Sequence, residues 1–263
     1  MKTAESYAEL APLLSAQLRR GVVTNAALTA EDWRREADSH TLRYESWEGG
    51  LLLLRRRETH TLLNFYLREL SLPEDLAWDS PTLMEIAARP RDERLQQAAE
   101  FWRGQGFQEL FRRKRITLPR GTVIPAGDSP LRPRAANRQD ARRVWELLRA
   151  NYDPMTGCLP TWEELDRDLD GGNVLCVDSP EGEVAGILHI VRGPSCIQDR
   201  HLVIDPAYRR LGGAQRLLSF CAERTGFPRT VLWVGTDNAP ALGLYDKIGY
   251  VADGWTSTVL CRP

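Results

Sequence analysis

A segment rich in proline and glycine divides the sequence near its middle and limits most strongly what the chain can fold into. Between residues 119 and 133 it contains Pro119, Gly121, Pro125, Gly127, Pro130 and Pro133. Proline and glycine at this density cannot sustain a helix or a central strand. Each remaining stretch of the 263-residue chain is long enough for one domain of ordinary size. We therefore predict two domains, at 1–118 and 134–263, joined by a linker at 119–133.

The second half of the sequence alternates helical and strand patterns. Asn137 and Thr161 each precede an amphipathic stretch, and both are residue types that typically begin a helix. Gly171 and Gly172 end the second of these helices, and a third helix follows Gly213. The other predicted elements are strands at Val174–Val177, Val184–Val191, His201–Ile204, Thr230–Val234 and Gly254–Cys261, and a helix at Ala239–Ile248. This order predicts an α/β domain.

The first half follows a partly similar order. The predicted elements are strands at Leu42–Trp47, Leu51–Arg57, Thr61–Leu67, Leu83–Ala87 and Phe107–Leu118, and a helix at Arg94–Arg103. In the stretch from Ala98 to Phe107 and in that from Ala241 to Tyr250, an aromatic residue stands four positions before a glycine that is followed by another aromatic. The agreement indicates two diverged copies of one fold, with a coincidental similarity as the alternative.

A strand, a glycine-containing turn and a helix follow one another around residue 210. After Asp205 and Pro206 the turn has the pattern Arg209-x-x-Gly212-x-Ala214. A helix N-terminus offers unpaired N–H groups and a partial positive charge, which attract a pyrophosphate. Glycine and alanine at these positions allow phosphate oxygens to approach the backbone. By itself, a turn of this kind is more often only a tight connection.

Two motifs together make the second half similar to a known family. The run from Leu202 to Ala214 resembles the acyl-CoA pyrophosphate loop of the GNAT superfamily of N-acetyltransferases. The segment from Asn238 to Tyr250 resembles the second signature of that superfamily, with an asparagine, Tyr245 and a glycine–aromatic pair in register. The resemblance covers residues 132–263. It implies the acyl-CoA N-acyltransferase fold, a mixed and mostly antiparallel sheet flanked by helices, here as a tandem pair.

The resemblance also implies how acetyl-CoA would bind as co-substrate, without a metal. In the superfamily the fourth strand diverges from the fifth, and the pantetheine arm lies between them. The implied binding residues are Leu202, Val203, Ile204, Arg209, Arg210, Leu211, Gly212, Gly213, Ala214, Gln215, Asn238 and Ala241. A backbone N–H of this strand would polarise the thioester carbonyl. Asn238 is equally suited to cap the helix that follows it.

Direct attack by an amine needs no protein nucleophile, so the catalytic residues are an acid and a base. Tyr245 matches the tyrosine that protonates the leaving thiolate in the superfamily, and a buried core aromatic is the alternative. Asp199 and His201 are the main candidates for the base, and His189 on the neighbouring strand is a third. Because Asp199 and His201 are two residues apart on a strand, we expect them on one face. An ordered water is the alternative base.

The acceptor is expected to be a small-molecule amine. In this fold the loop between the first two helices usually recognises it, and here that loop, 151–162, is followed by the acids Glu163, Glu164, Asp166, Asp168 and Asp170. An aromatic and acidic rim suits a cationic amine, and a solvated helix face explains the acids equally well. The first half has no comparable glycine loop after Leu67, and Trp102 stands in the place of Tyr245. We therefore predict a degenerate copy that does not bind CoA.

Composition argues against several other classes of protein. The formal net charge is −1 and neither half has the basic excess expected of a nucleic-acid binder, so a nucleic-acid partner is not expected. Neither an apolar run of membrane-spanning length nor a signal-peptide core is present. Five scattered cysteines fit a reducing cytoplasm. We expect a cytoplasmic monomer or homodimer. The alternatives are an acyl-CoA-binding regulatory or scaffold module, or a transferase with another thioester or aminoacyl donor.

Overall fold

The computed structural model describes residues 1–18, 20–78, 81–226 and 228–263. They form two compact units, of which the first contains Met1–Arg112 and Trp255–Pro263 and the second contains Arg113–Gly254. The units therefore differ from the predicted sequence domains, 1–118 and 134–263, in their limits. The end of the chain belongs to the first unit, which sequence patterns did not indicate.

The first unit is built on one sheet with helices packed against it. Its elements are β1 (Lys2–Thr3), α1 (Tyr7–Gln17), β2 (Val23–Thr24), α2 (Ala30–Asp38), β3 (Leu42–Trp47), β4 (Gly50–Arg56), β5 (Thr61–Leu67), β6 (Thr82–Ala88), α3 (Glu93–Gly104), the start of β7 (Gln108–Leu118) and most of β13 (Val251–Arg262). The strand order is β1-β3-β4-β5-β6-β13. All neighbours are antiparallel except β5 and β6, which pair in parallel only at Thr61–Leu62.

The second unit repeats this plan. Its elements are the end of β7, β8 (Arg132–Ala135), α4 (Ala141–Asn151), α5 (Trp162–Asp170), β9 (Val174–Asp178), β10 (Val184–Arg192), β11 (Ile197–Ile204), α6 (Gly213–Thr225), β12 (Thr230–Gly235), α7 (Ala239–Ile248) and the start of β13, with short 3₁₀ helices at Arg138–Asp140 and Pro206–Tyr208. The strand order is β7-β12-β11-β10-β9-β8. Only β11 and β12 are parallel.

Helices cover both faces of the second sheet. On one face, α6 and α7 bury a cluster that includes Leu188, Ile190 and Ile197. On the other, α4 and α5 bury a cluster that includes Ile187 and Val203. The alternation of Ile187 and Leu188 between the clusters is the two-residue period of a strand buried on both faces.

The proline- and glycine-rich segment packs against the second unit. Ile124 and Leu131 are buried in the cluster with α6. The hydroxyl of Ser219 donates a hydrogen bond to the Ile124 carbonyl oxygen at 2.8 Å, and the side chain of Gln215 donates one to that of Pro125 at 2.7 Å. Most of this segment has neither a helix nor a strand, as its composition predicts, but it is held in place.

Candidate active site

The central feature of the second sheet is the divergence of its two parallel strands. β11 pairs with β12 only over Ile197–Asp199. Beyond this point the Leu202 N–H donates to the Tyr152 hydroxyl at 3.0 Å, and that hydroxyl donates to the Leu202 carbonyl oxygen at 3.3 Å. These backbone groups therefore face away from β10, towards the side on which β12 has diverged. Such groups can pair with an extended amide chain in the gap.

The loop after β11 is shaped by local contacts. The Asp205 carboxylate accepts a hydrogen bond from the Ala207 N–H at 2.9 Å. The Arg209 guanidinium donates to the Ile204 carbonyl oxygen at 3.2 Å and to the Asn151 side chain at 3.1 Å. Arg209 thus closes the loop onto the end of β11 and the end of α4.

The first turn of α6 has the properties of an anion site. Gly212 has a φ of 76° and precedes the helix, and among the described residues no side chain caps this helix. Its first-turn N–H groups are therefore not occupied by a side chain. A Cβ on Gly213 would lie 2.7 Å from Leu131 Cδ1, so a larger residue at this position would force the buried Leu131 side chain to move. Leu211 is exposed and its side chain is apolar. Its carbonyl oxygen accepts a hydrogen bond from the Ser129 hydroxyl at 2.5 Å. The residues present therefore fit a pyrophosphate.

Other implied binding residues are already engaged. The Asn238 side chain accepts a hydrogen bond from the Ala241 N–H at 3.2 Å, so it caps α7. The Gln215 side chain bonds to the segment before β8, which leaves only its backbone in the first turn of α6. Val203 is buried against α4 and α5, and its backbone groups face Ile187 of β10, so neither its side chain nor its polar backbone atoms line the gap. Arg210 and Ala214 lie in the loop and the first turn as the sequence predicted.

Tyr245 projects from α7 into the core of the second unit. It is 8% exposed, and its ring centroid lies 5.2 Å from that of Tyr250. Burial raises the pKa of Tyr245 well above its ordinary value, and the charge of Asp199 adds to this. Tyr245 therefore holds its proton over the whole physiological pH range.

Asp199 is buried beside this tyrosine pair. The Tyr250 hydroxyl donates to Asp199 Oδ2 at 2.9 Å, whereas Oδ1 has no hydrogen-bond partner in the described part of the chain. Burial raises the pKa of Asp199 to about 7. Sequence reasoning gave Tyr250 no role beyond the glycine–aromatic pair, although it is the residue that holds Asp199.

His201 lies in different surroundings. Its Nδ1 is 3.2 Å from His189 Nδ1, its Nε2 is 2.8 Å from the Gly157 carbonyl oxygen, and its ring centroid is 4.8 Å from that of Tyr152. His189 Nε2 lies 2.8 Å from Asp168 Oδ2. Burial lowers the pKa of His201 well below its ordinary value.

The expectation that Asp199 and His201 share a face is wrong. The pairing register between β10 and β11 shifts at Ile190, where Asp199 and His201 lie opposite consecutive residues of β10. This β-bulge inserts Arg200 as an extra residue and reverses the alternation. Asp199 consequently faces the cluster of α6 and α7, whereas His201 faces α4 and α5. The structure brings Asp199 together with Tyr245, and His201 with the loop before α5.

Most acids of the rim have partners within the chain. Asp170 and Asp166 face the Arg138 guanidinium, Asp168 faces His189, and Glu164 accepts a hydrogen bond from the Thr161 N–H. These contacts support the alternative interpretation of the acids as a solvated, paired helix face. Within the described residues, no group of three or more His, Cys, Asp or Glu side chains is arranged to hold a metal ion, and no helix is long and apolar enough to cross a membrane.

The first unit has a comparable divergence between β5 and β6, but its own chain fills it. β2 pairs with β5 at Tyr66 and Leu67. The Asn25 amide donates to the carbonyl oxygens of Leu63 on β5 and Glu85 on β6, at 3.0 and 3.1 Å. Between β5 and β6 the described residues contain no helix. Trp102, in the place of Tyr245, is fully buried among aromatic rings.

Comparison with known proteins defines the class. Residues 141–250 match the model of the acetyltransferase (GNAT) family. The second unit therefore carries a GNAT domain, as its two motifs predicted, and this family performs acyl transfer. No curated protein sequence matches the chain.

Solved structures extend the likeness to the whole chain. A tandem GNAT protein from the clavulanic acid biosynthesis pathway is similar over 98% of this chain and 94% of its own, with 13% identity and a TM-score of 0.62. A GCN5-related N-acetyltransferase from Sphaerobacter thermophilus is similar over 94% and 98%, with 13% identity and a TM-score of 0.59. At such identities the likeness shows the fold. It confirms the predicted acyl-CoA N-acyltransferase fold and its tandem arrangement.

Proposed function

We propose that the chain is an acyl-CoA-dependent N-acyltransferase, which transfers an acetyl group from acetyl-CoA to a primary amine of a small, amino-acid-like molecule. The observation that carries this proposal is the divergence of β11 from β12 directly before a helix whose N-terminus has no side-chain cap. The gap suits an extended pantetheine arm, and the helix start suits its pyrophosphate. We place the reaction in the cytoplasm, because the cysteines are free thiols.

The binding residues divide by the part of acetyl-CoA that they would contact. Backbone groups of Leu202 and Ile204 line the gap, whereas those of Val203 face β10. The Leu202 N–H is the donor best placed to polarise a thioester carbonyl, because it points away from β10. The residues proposed to hold the pyrophosphate are Arg209, Arg210, Leu211, Gly212, Gly213, Ala214 and the Gln215 backbone. Asn238 and Ala241, at the start of α7, are proposed to contact the pantetheine arm.

An acceptor that arrives as an ammonium group loses one proton before attack and a second after the N–C bond forms, and the second can replace the proton that Tyr245 gives to the leaving sulfur. The acceptor nitrogen attacks the thioester carbon, the N–C bond forms, and the C–S bond breaks. The leaving sulfur takes the Tyr245 proton, which burial has kept in place. His201 faces the loop that is expected to hold the acceptor, so we propose it as the base. Asp199 lies on the Tyr245 side, and we propose that its carboxyl group contributes there.

The first unit is proposed to be a degenerate copy without a CoA site. Asn25 occupies the divergence of β5 and β6 with the same kind of amide contacts that a pantetheine arm would make. Trp102 offers an indole N–H, which is not a comparable acid.

A free-thiol release assay tests the proposed activity. Several acyl-CoAs are combined with a panel of amines, amino acids and aminoglycosides, and amine-dependent thiol release is expected with acetyl-CoA. Tyr245→Phe should lower kcat by about 10²–10⁴-fold and leave the Kd of acetyl-CoA nearly unchanged. Binding of acetyl-CoA without thiol release for any amine would contradict the proposed transferase activity. It would favour an acyl-CoA-binding regulatory or scaffold module instead.

A further inference from the structure

The first unit has an open cavity on the sheet face that α3 covers. Its volume is about 620 Å³, which is within the range of cavities that hold small molecules. In the second unit α6 packs against β8, β9 and β10, and the strands in the same positions of the first sheet are β1, β3 and β4. The described residues between β5 and β6 contain no helix that could cover these strands. Trp78 packs against the core from this segment, and the cavity remains beside it.

Strand pairing places two arginines on this face. Arg43 of β3 lies opposite Leu54 of β4, and Arg56 of β4 lies opposite Thr61 of β5. Residues opposite each other, and residues two apart on one strand, point to the same side of a sheet. Leu54 is buried in the cluster that contains the α3 side chains, so Arg43 and Arg56 are on its side of the sheet. They are diagonal neighbours on adjacent strands, so their long side chains can reach one group between them.

The ends of the same strands bring further hydrogen-bond donors to the cavity. Arg57 and His60 lie in the connection between β4 and β5, in which the Arg57 N–H donates to the His60 carbonyl oxygen at 2.8 Å. His40 lies in the turn before β3. Guanidinium, imidazole and hydroxyl groups can all donate to an anionic oxygen. The cavity is also lined by four threonines and one acid, which are Thr3, Thr41, Thr59, Thr61 and Glu58.

The lining of the cavity has an excess of positive charge. Arg57 and Arg55 share the carboxylate of Glu36 on α2, and Glu58 is the only acid among the described residues that line the cavity. With the two arginines of the sheet face there are four arginines against two glutamates, which is a formal charge of +2 with the histidines neutral. Like charges this close repel one another, so the cavity favours an anion. A phosphate monoester carries about two negative charges at neutral pH and matches this excess.

We propose that this cavity binds a small molecule that carries a phosphate monoester. The phosphate oxygens accept charge-assisted hydrogen bonds from the guanidinium groups of Arg43 and Arg56, whose planar shape suits them. His40 and His60 line the same cavity and donate to the remaining oxygens, and the Trp78 ring borders the organic part of the molecule. The site is independent of the acyl-transfer reaction, because all of these residues belong to the first unit.

NMR of the four histidines tests this site, because two of them line the cavity and two are buried in the second unit. AMP, ribose 5-phosphate and glycerol 3-phosphate are each titrated into the full chain, with adenosine, succinate and inorganic phosphate for comparison. The imidazole signals of His40 and His60 should shift with at least one monoester. Its Kd should be about tenfold below that of inorganic phosphate, because the organic part adds contacts with the cavity. The signals of His189 and His201 should not move, and single substitutions assign all four.

Arg56→Gln tests the assignment of the phosphate group. The Arg56 side chain is exposed, so its replacement should not disturb the core. The substitution should raise the Kd of the bound monoester by about tenfold or more, because a charge-assisted hydrogen bond is lost. The control Arg34→Gln, at an exposed position of α2 paired with Glu31, should keep the wild-type Kd. The monoester should also stabilise wild type and Arg34→Gln against urea more than it stabilises Arg56→Gln.

Three results would overturn the proposal. The first is that none of the monoesters shifts the His40 and His60 signals of wild type, which decides the matter even if Arg56→Gln does not fold. The second is that succinate or inorganic phosphate binds as tightly as every monoester, which would show only a general attraction for anions. The third is an unchanged Kd in Arg56→Gln. None of these outcomes depends on whether the second unit binds acetyl-CoA.

Discussion

At the residue scale, two left-handed backbone conformations shape the loop before α6. Arg210 has a φ of 65° and Gly212 a φ of 76°. A residue other than glycine is strained there, because its Cβ approaches the following carbonyl oxygen. The loop therefore carries its strain at Arg210 and has a glycine at position 212, directly before the helix.

Gly212→Ala is predicted to weaken acetyl-CoA binding by about tenfold or more. A Cβ at this position would lie 3.3 Å from the Asp128 carbonyl oxygen and beside the first turn of α6. The left-handed φ should also cost about 1–2 kcal/mol of the free energy of unfolding. Calorimetric titration and urea unfolding measure the two effects.

Gly226→Ala is a matched control, because Gly226 ends the same helix with a φ of 77° and open space around its Cβ. It should cost a similar free energy of unfolding and leave the Kd of acetyl-CoA unchanged. Equal loss of affinity in both variants would contradict the assignment of the pyrophosphate to the helix start.

Asp199→Asn is predicted to remove a pH dependence of stability. Burial raises the folded-state pKa of Asp199 to about 7, against about 4 in the unfolded chain. Between these values the folded state binds more protons, so the free energy of unfolding falls as pH rises and levels off above pH 7. The variant should therefore lose less stability than wild type between pH 5 and pH 8.

Urea unfolding at those two pH values measures the difference, and Asp246→Asn, at an exposed position of α7, is the control. A wild-type slope in Asp199→Asn would show that Asp199 is charged in the folded chain at both pH values. One group that is protonated in the folded chain and ionised in the unfolded chain changes the free energy of unfolding by about 1.4 kcal/mol per pH unit. This value is the upper limit for the difference between the two slopes.

Sequence motifs predicted part of the candidate site at this scale. The loop from Arg209 to Ala214 lies before a helix, and Asn238 caps the next one, as their residue types indicated. Their roles towards acetyl-CoA stay predictions. Tyr152 and Asp168 were visible only as members of an aromatic and acidic stretch, because their partners Leu202 and His189 come from distant parts of the sequence.

At the element scale, end signals predicted helices better than strands. Helix α7 has the predicted limits, Ala239–Ile248, and α5 begins after the Thr161 cap. Helix α2 was missed although Thr29 and Asp32 form a capping box before it, because only Trp33 and Ala37 mark its buried face in a stretch that is otherwise mostly charged. Strand β11 begins at Ile197 rather than His201, because Gln198 and Arg200 interrupt its apolar pattern.

Sequence patterns could not predict the bulge in β11, and the reason is physical. It depends on which residue of β10 lies opposite each residue of β11, and that register is a tertiary property. The bulge separates Asp199 from His201 and so assigns the two groups to different faces. A strand without it would place both against the same helices.

Tyr152→Phe is predicted to tighten acetyl-CoA binding by about 3–10-fold. The Tyr152 hydroxyl now bonds both backbone groups of Leu202. Its loss leaves these groups without that partner in the ligand-free chain, at a cost of about 1–3 kcal/mol. A thioester and its pantetheine amides would form hydrogen bonds with these groups in the bound state. The substitution therefore destabilises the ligand-free state more than the bound state, which tightens binding.

Calorimetry on Tyr152→Phe and on the control Tyr7→Phe in the first unit measures this effect. Urea unfolding without ligand should show a less stable Tyr152→Phe. Weaker binding than wild type would show that the hydroxyl group assists acetyl-CoA instead of competing with it.

At the scale of the whole molecule, each unit is completed by a strand from a distant part of the sequence. β13 pairs with β6 from Thr256 to Arg262, and β7 pairs with β12 from Arg113 to Leu118. The apolar pattern of a strand does not tell which sheet receives it, so the predicted domains ended at residues 118 and 263. The repeat of the plan itself was predicted from the Gly106–Phe107 and Gly249–Tyr250 pairs.

Leu260→Ala is predicted to destabilise the first unit, although residue 260 is almost the last in the chain. Leu260 is fully buried in the cluster that contains Trp102. Truncation of a buried leucine costs about 2–5 kcal/mol. Val251→Ala, at the exposed start of the same strand, should cost less than about 0.5 kcal/mol. Equal effects in urea unfolding would show that the end of the chain is not part of the first core.

The number of CoA sites per chain tests the central claim most directly. Calorimetric titration of the full chain with acetyl-CoA and with CoA measures it. We predict one site per chain, whose affinity falls in Gly212→Ala and persists in Asn25→Ala, because Asn25 lies in the first unit. Two sites per chain, or no binding of either ligand, would contradict a single acyl-CoA site in the second unit.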